Sequence, residues 1–170
     1  MSKLICPSRP ASSGQPLLSR RQLLLAIGIV CAGGKSLAAP ATLPTTVSLF
    51  DALAQVLTMN SPLLVMVSLE GCPFCRIVRE NYLGPMHAQQ GLPVVQIDMR
   101  NRQAIKDFKG VMTTQDGLIR SWGIKVAPTV LFFGRGGVEV AERLVGGYIP
   151  DFYGAYLDER LRVARASLRA

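Results

Sequence analysis

Leu63-Leu64-Val65-Met66-Val67-Ser68-Leu69-Glu70-Gly71-Cys72-Pro73-Phe74-Cys75 decides the fold. Its first seven residues are almost uninterruptedly apolar. So short a run suits a strand buried on both faces, as in a sheet covered by helices. Glu70-Gly71 ends the strand, and Cys72-Pro73-Phe74-Cys75 opens a helix. Proline just inside a helix start costs no hydrogen bond. The stretch therefore sets two cysteines, one helical turn apart, at the junction of a buried strand and a helix N-terminus.

That placement favours redox chemistry. Backbone N–H groups and the positive end of a helix dipole stabilise a thiolate on the first cysteine. Only the thiolate attacks a disulfide. Cys72 is the expected nucleophile and Cys75 the resolving thiol, with Cys72 partly exposed and Cys75 more buried. Half of a structural zinc site is the alternative. Such sites want four ligands, and after residue 38 the chain offers only His87 besides these two cysteines. His87 reads as a surface residue, and Met66, Met86, Met99 and Met112 as fillers; no metal is expected.

Outward from the dithiol, Ser48-Leu49-Phe50-Asp51 opens a preceding helix in capping-box style. Its apolar positions Leu49, Phe50, Leu53, Val56 and Leu57 fall at helical spacing, and Asn60-Ser61-Pro62 stops it. The helix begun at Cys72 is expected to reach Leu83 and break at Gly84-Pro85. Val94–Met99 reads as a second buried strand. Short helices are expected around 102–108 and 115–122, with a loop at 109–114. Val126–Phe133 reads as a third strand, interrupted by Pro128. After a turn at Gly134-Arg135-Gly136-Gly137, Val138–Val145 alternates as an antiparallel partner. A last helix, about Pro150–Leu168, carries the stripe Tyr153, Leu157, Leu161 and Ala164.

Proline inside an apolar strand removes a ladder donor and needs an explanation. A cis Ala127–Pro128 bond at a functional edge is one; a trans proline at a strand start is the other. A cis bond would present the Ala127 backbone to an extended peptide beside the dithiol.

The chain has 170 residues, 49% hydrophobic and 18% charged, which excludes a disordered or collagen-like protein. Its formal charge of +8 divides unevenly. Residues 1–38 hold Lys3, Arg9, Arg20, Arg21, Lys35 and no acid, and so account for most of the excess. Nucleic-acid binding is not expected. The same segment reads as an export signal: Arg20-Arg21, an apolar stretch from Leu23 to about Gly34, then Ser36 and Ala38 before a cleavage point. The paired arginines resemble a twin-arginine signal, although Leu23-Leu24-Leu25 follows them, so the general secretory route stays open, as does an uncleaved anchor. Residues 39–47 read as a tether and 48–168 as one domain. Export implies an oxidising compartment, the periplasm. Cys6 and Cys31 belong to the leader. The Cys72–Cys75 pair closes a small loop and gains little as a staple, which suits a working dithiol.

These motifs resemble the thioredoxin superfamily. Strand–Gly71-Cys72-Pro73-Phe74-Cys75–helix is followed about fifty residues later by Val126-Ala127-Pro128-Thr129-Val130. The most similar group is the SoxW-like bacterial periplasmic thioredoxins, on those motifs, Leu131-Phe132-Phe133, the long segment after the second strand and Gly146-Gly147. The resemblance implies an α/β thioredoxin-like fold, a central mixed sheet with helices on both faces, and a cis Pro128 opposite the dithiol. It implies a thiol–disulfide oxidoreductase with no cofactor beyond a redox-active Cys72–Cys75 disulfide. Its substrates would be disulfide-containing exported proteins, and a membrane electron carrier would recharge it. No dimerisation domain is visible in the sequence, so a monomer is the expectation. Pro73, Phe74, Ala127 and Pro128 would meet substrate. Net oxidation of exported proteins, or a non-catalytic binding module with a static bridge, are the alternatives. One position departs from the family. Thioredoxins proper carry a buried aspartate six residues before the first cysteine, where this chain has Met66. Glu70 or water is the expected proton acceptor instead.

Overall fold

The computed structural model describes residues 42–147 and 150–169. The export-signal reading of residues 1–38 lies outside them, as do residues 39–41 of the tether.

Four strands form the central sheet in the order β2-β1-β5-β6: β1 (Leu63–Ser68), β2 (Val94–Asp98), β5 (Thr129–Phe133) and β6 (Glu139–Val145). β1 runs parallel to β2 and antiparallel to β5, and β6 is antiparallel to β5. The sheet is therefore mixed, as expected. All six residues of β1 are buried.

Alternation along the two inner strands explains why both faces are covered. Leu64 and Met66 of β1 and Val130 and Phe132 of β5 share one core with Cys75, Val78, Leu83, Tyr153, Leu157, Leu161 and Ala164. Those partners come from α2 (Pro73–Val78), the turn after it and α5 (Pro150–Ser167). Leu63, Val65 and Val67, with Leu131 and Phe133, face the other core. There they meet Leu49, Leu53 and Val56 of α1 (Leu49–Leu57) and Leu118 and Ile119 of α4 (Gln115–Ser121). Ser48 caps α1 as expected, its hydroxyl accepting from the Asp51 N–H at 3.2 Å.

Three expectations are corrected. Gly84-Pro85 does not break the helix after the cysteines. The chain widens into one π-helical turn, Arg79–Leu83, and continues as α3 (Gly84–Gln90). The Gly84 N–H reaches back to the Arg79 carbonyl. That shift puts Pro85 in the first turn of α3, where a missing N–H costs nothing.

The helix expected around 102–108 is instead a hairpin of β3 (Ala104–Lys106) and β4 (Met112–Thr114). Asp107 makes it: its carboxylate accepts from the Lys109 and Val111 N–H groups, each at 2.8 Å, and Gly110 turns the chain at φ 83°. Ile105 is fully buried in the core and Phe108 packs on that core against Phe133 at 4.3 Å, two anchors three residues apart that make no helical stripe.

Finally, the third strand is not interrupted by Pro128 but starts after it. Thr129 Oγ1 donates to the Val126 carbonyl at 2.7 Å, which closes a turn there. The described part of the expected tether, residues 42–47, lies along β2. Leu43 is buried and the Gln96 N–H donates to the Pro44 carbonyl at 2.8 Å.

Candidate active site

β1 carries the chain through the core to the C-terminal end of a central strand, where Gly71, at φ 73°, turns it into α2. Only glycine adopts such a φ without strain. Cys72 is the N-cap of α2, with extended backbone, and its Sγ accepts from the Cys75 N–H at 3.2 Å. The sulfur thus occupies the place a serine or aspartate oxygen takes at other helix starts. Pro73 follows at the first helical position.

Both cysteines are free thiols. Cys72 is half-buried, whereas Cys75 is 1% exposed. Burial, then the hydrogen bond with Cys72, pushes the Cys75 thiol up to about 11, against the lowering effects of the Leu69 backbone and the Ser68 hydroxyl. The second cysteine therefore holds its proton at neutral pH.

Ser68 is the residue that motif reading passed over. It follows Leu64 and Met66 on the face of β1 turned to Cys75, it is 2% exposed, and its hydroxyl works to lower the Cys75 thiol against the effect of burial. A polar residue ending an otherwise apolar strand was the available signal. Glu70 lies beyond it, exposed, and is not among the groups that bond Cys75. Met66 is fully buried.

The Ala127–Pro128 bond is cis. Cys72 Sγ donates to the Ala127 carbonyl at 3.9 Å, so the second motif stands directly against the first cysteine. Pro128 is buried and Ala127 half-buried. Phe74 is 46% exposed and Val126 48%. The Pro128 carbonyl accepts from the Gly146 N–H at 2.8 Å, which brings the Gly146-Gly147 turn to the same face. A Cβ on Gly147 would lie 2.9 Å from Val78 Cγ2 and 3.2 Å from Pro128 Cγ, so any side chain there must push Val78 or the turn aside.

On the other side of Cys72 an open cleft of about 1010 Å³ is lined by Ser68, Glu70, Pro73, Arg79, Asp98 and Arg100 among others. Arg79 is tied back to Gln96 at 3.0 Å. His87 bonds the Leu92 carbonyl through Nδ1 at 2.8 Å, at the end of α3. Among the described residues no group of three or more His, Cys, Asp or Glu side chains converges as metal ligands would.

The model of the thioredoxin-like domain family matches residues 49–160. A sequence search of curated proteins finds no match. Among solved structures, the chain is similar to the reduced periplasmic thioredoxin SoxS from Paracoccus pantotrophus, with 21% identity and a TM-score of 0.41 over 61% of this chain and 98% of that one. It is also similar to poplar thioredoxin h, PtTrxh4, at 21% identity and TM-score 0.47, over 64% and 85% of the two chains. Thioredoxin O2 from Arabidopsis thaliana stands at 15% identity and TM-score 0.48, over 72% and 97%. The family match spans well over half of the sequence and takes in both motifs, and the chain belongs to the thioredoxin-like family.

Proposed function

We propose that this protein is a periplasmic thiol–disulfide oxidoreductase that reduces disulfides in other exported proteins. The observation that carries the reading is the arrangement of one accessible and one sequestered thiol. Cys72 Sγ sits at the start of α2, 3.2 Å from the Cys75 N–H, with an open cleft beside it and Cys75 buried behind.

Cys72, as thiolate, attacks one sulfur of a client disulfide. A mixed disulfide forms, and the other client sulfur leaves as a thiolate that takes up a proton. Cys75 then gives up its proton and attacks Cys72 Sγ, which expels the second client thiolate. The client gains two electrons and two protons, and the protein is left with a Cys72–Cys75 disulfide. A membrane electron carrier returns the pair to dithiols. Ser68 takes the place of an acid in the second step: its hydroxyl stabilises the Cys75 thiolate as the proton leaves through the cleft that Ser68 also lines. Phe74, Val126 and the Ala127 backbone grip an extended client segment beside the dithiol. Localisation rests on Arg20-Arg21, the apolar stretch and the small residues Ser36 and Ala38.

The test is a Cys75→Ser variant exposed to periplasmic extract. It should accumulate client proteins as mixed disulfides through Cys72, and the unaltered protein should reduce insulin. If the variant captures nothing and insulin stays oxidised, the reading is wrong and a static bridge in a binding module takes its place.

A further inference from the structure

The cleft of about 1010 Å³ beside Cys72 carries a charge pattern that client reduction does not use. Arg76, Arg79 and Arg100 line it, together with Glu70 and Asp98. Arg76, Arg100 and Glu70 are exposed; Arg79 and Asp98 are half-buried. The ion pairs formed among the described residues involve none of these five. Arg79 leans on a neutral partner, its Nη1 donating to Gln96 Oε1 at 3.0 Å. Asp98 Oδ1 accepts from the Arg100 N–H at 2.9 Å, which fixes the turn that brings Arg100 to the cleft.

The elements that carry these groups order them along the cleft. Cys72, Arg76 and Arg79 follow one another at spacings of four and three, so they share one face of α2 and the turn after it. Seven residues of helix put about 10 Å between the ends of that row. Asp98 and Arg100 come from the carboxyl end of β2, where Asp98 pairs with Ser68 of the parallel β1. Glu70 stands between β1 and Cys72. The attacking sulfur is thus at one end of an open trough that offers both guanidiniums and carboxylates.

That mixture limits what fits. Guanidiniums without a carboxylate partner take carboxylates. Glu70 and Asp98 attract an ammonium and oppose a uniformly acidic segment. A cleft of this size holds a small molecule, and a peptide of three residues spans about 10 Å when extended. We propose that the cleft binds a small zwitterionic peptide disulfide, with two carboxylates and one ammonium on each half and its sulfur at Cys72. The Cys72 thiolate attacks one sulfur of that disulfide, and the other half leaves as a thiolate that takes up a proton. Cys75 then gives up its proton and displaces the first half from Cys72. One peptide disulfide becomes two thiols, and the protein gains the Cys72–Cys75 bond. This rests on the oxidoreductase reading above and adds a class of small substrate to the protein clients.

The test uses the full reduced protein and three probes with the same sulfur chemistry: glutathione disulfide, its tetraethyl ester and its N-acetylated form. Rate constants for oxidation of the protein are read by acid quench and thiol counting. At low salt the free disulfide should react about tenfold faster than the ester, and the ratio should fall towards one in about 1 M salt. Acetylation should slow the reaction by about threefold. Arg76→Gln and Arg100→Gln, both at exposed positions, should each cut the ratio of free disulfide to ester by about threefold. Equal rates for the free disulfide and the ester, acetylation without effect, or a ratio untouched in both variants would overturn the site. Insulin reduced by the same protein would then leave the oxidoreductase standing. If the protein reduces neither insulin nor any of the three probes, both readings fall.

Discussion

Cys75 sets the chemistry of the pair because it is the sulfur the core controls. Burial both sequesters it and pushes its thiol up to about 11, so it keeps its proton at neutral pH. Alkylation at pH 7 should label Cys72 alone, and labelling of Cys75 should become half-maximal only near pH 11, as read by mass spectrometry. The sign for stability follows. A thiol whose folded pKa is raised binds its proton more tightly folded than unfolded, so the reduced protein loses stability as pH rises from about 9 towards 11. The loss is at most about 3 kcal/mol, and a Cys75→Ser variant should not show it. Ser68 acts in the other direction. Ser68→Ala should raise the Cys75 midpoint further and lengthen the life of the mixed disulfide by roughly tenfold at pH 7, measured by acid quench; an unchanged lifetime would remove Ser68 from the reaction. The cysteine pair at a strand–helix junction and the proline in an apolar run stood out from pattern, whereas the place of Phe74 and Pro128 beside the dithiol came into the expectation only through the family resemblance. Ser68 did not stand out, because its role depends on which face of β1 meets α2, and a single serine carries no such label.

At the scale of elements, the strands with continuous apolar runs read true. β1, β2 and β5 each lie within a few residues of where their apolar runs put them, since burial on both faces leaves no other way to satisfy Leu64, Val65, Val130 and Leu131, and β6 lies where alternation put it. The segment 102–114 did not, because one buried residue, Ile105, and an Asp107 turn decide it, and neither has a period. Pro85 misled for a related reason: a π turn moves a proline from helix interior to helix start, and no local sequence rule announces it. The turn at Gly147 links the elements to the site. Gly147→Ala places a methyl group 2.9 Å from Val78 Cγ2, so either α2 or the turn must shift. We expect a loss of about 1–3 kcal/mol in urea unfolding, together with slower insulin reduction. Full activity with native stability would show that the turn yields freely.

For the whole molecule, the sheet divides two cores, and the site sits at the end of β1, where it belongs to one of them. Phe132 is fully buried in that core, on the strand beside β1. Phe132→Ala should cost about 3–5 kcal/mol by urea unfolding. The surviving fold should keep the dithiol but hold Cys75 less tightly, seen as faster alkylation at pH 9. The layered α/β arrangement was readable in outline from the order of helix, strand, helix, strand. What the order could not supply is the neighbourhood that sequence-distant parts create: Ala127 against Cys72, and the Gly146-Gly147 turn against Pro128.

All of this depends on Cys72 and Cys75 being a couple that exchanges electrons with other disulfides. The reduction potential of the pair, found by equilibrating the protein with glutathione buffers and counting free thiols, tests that most directly. The account predicts reversible two-electron behaviour at an intermediate potential, between about −270 and −180 mV. A bridge that fails to exchange with glutathione, or that stays closed below about −300 mV as structural disulfides do, would contradict it.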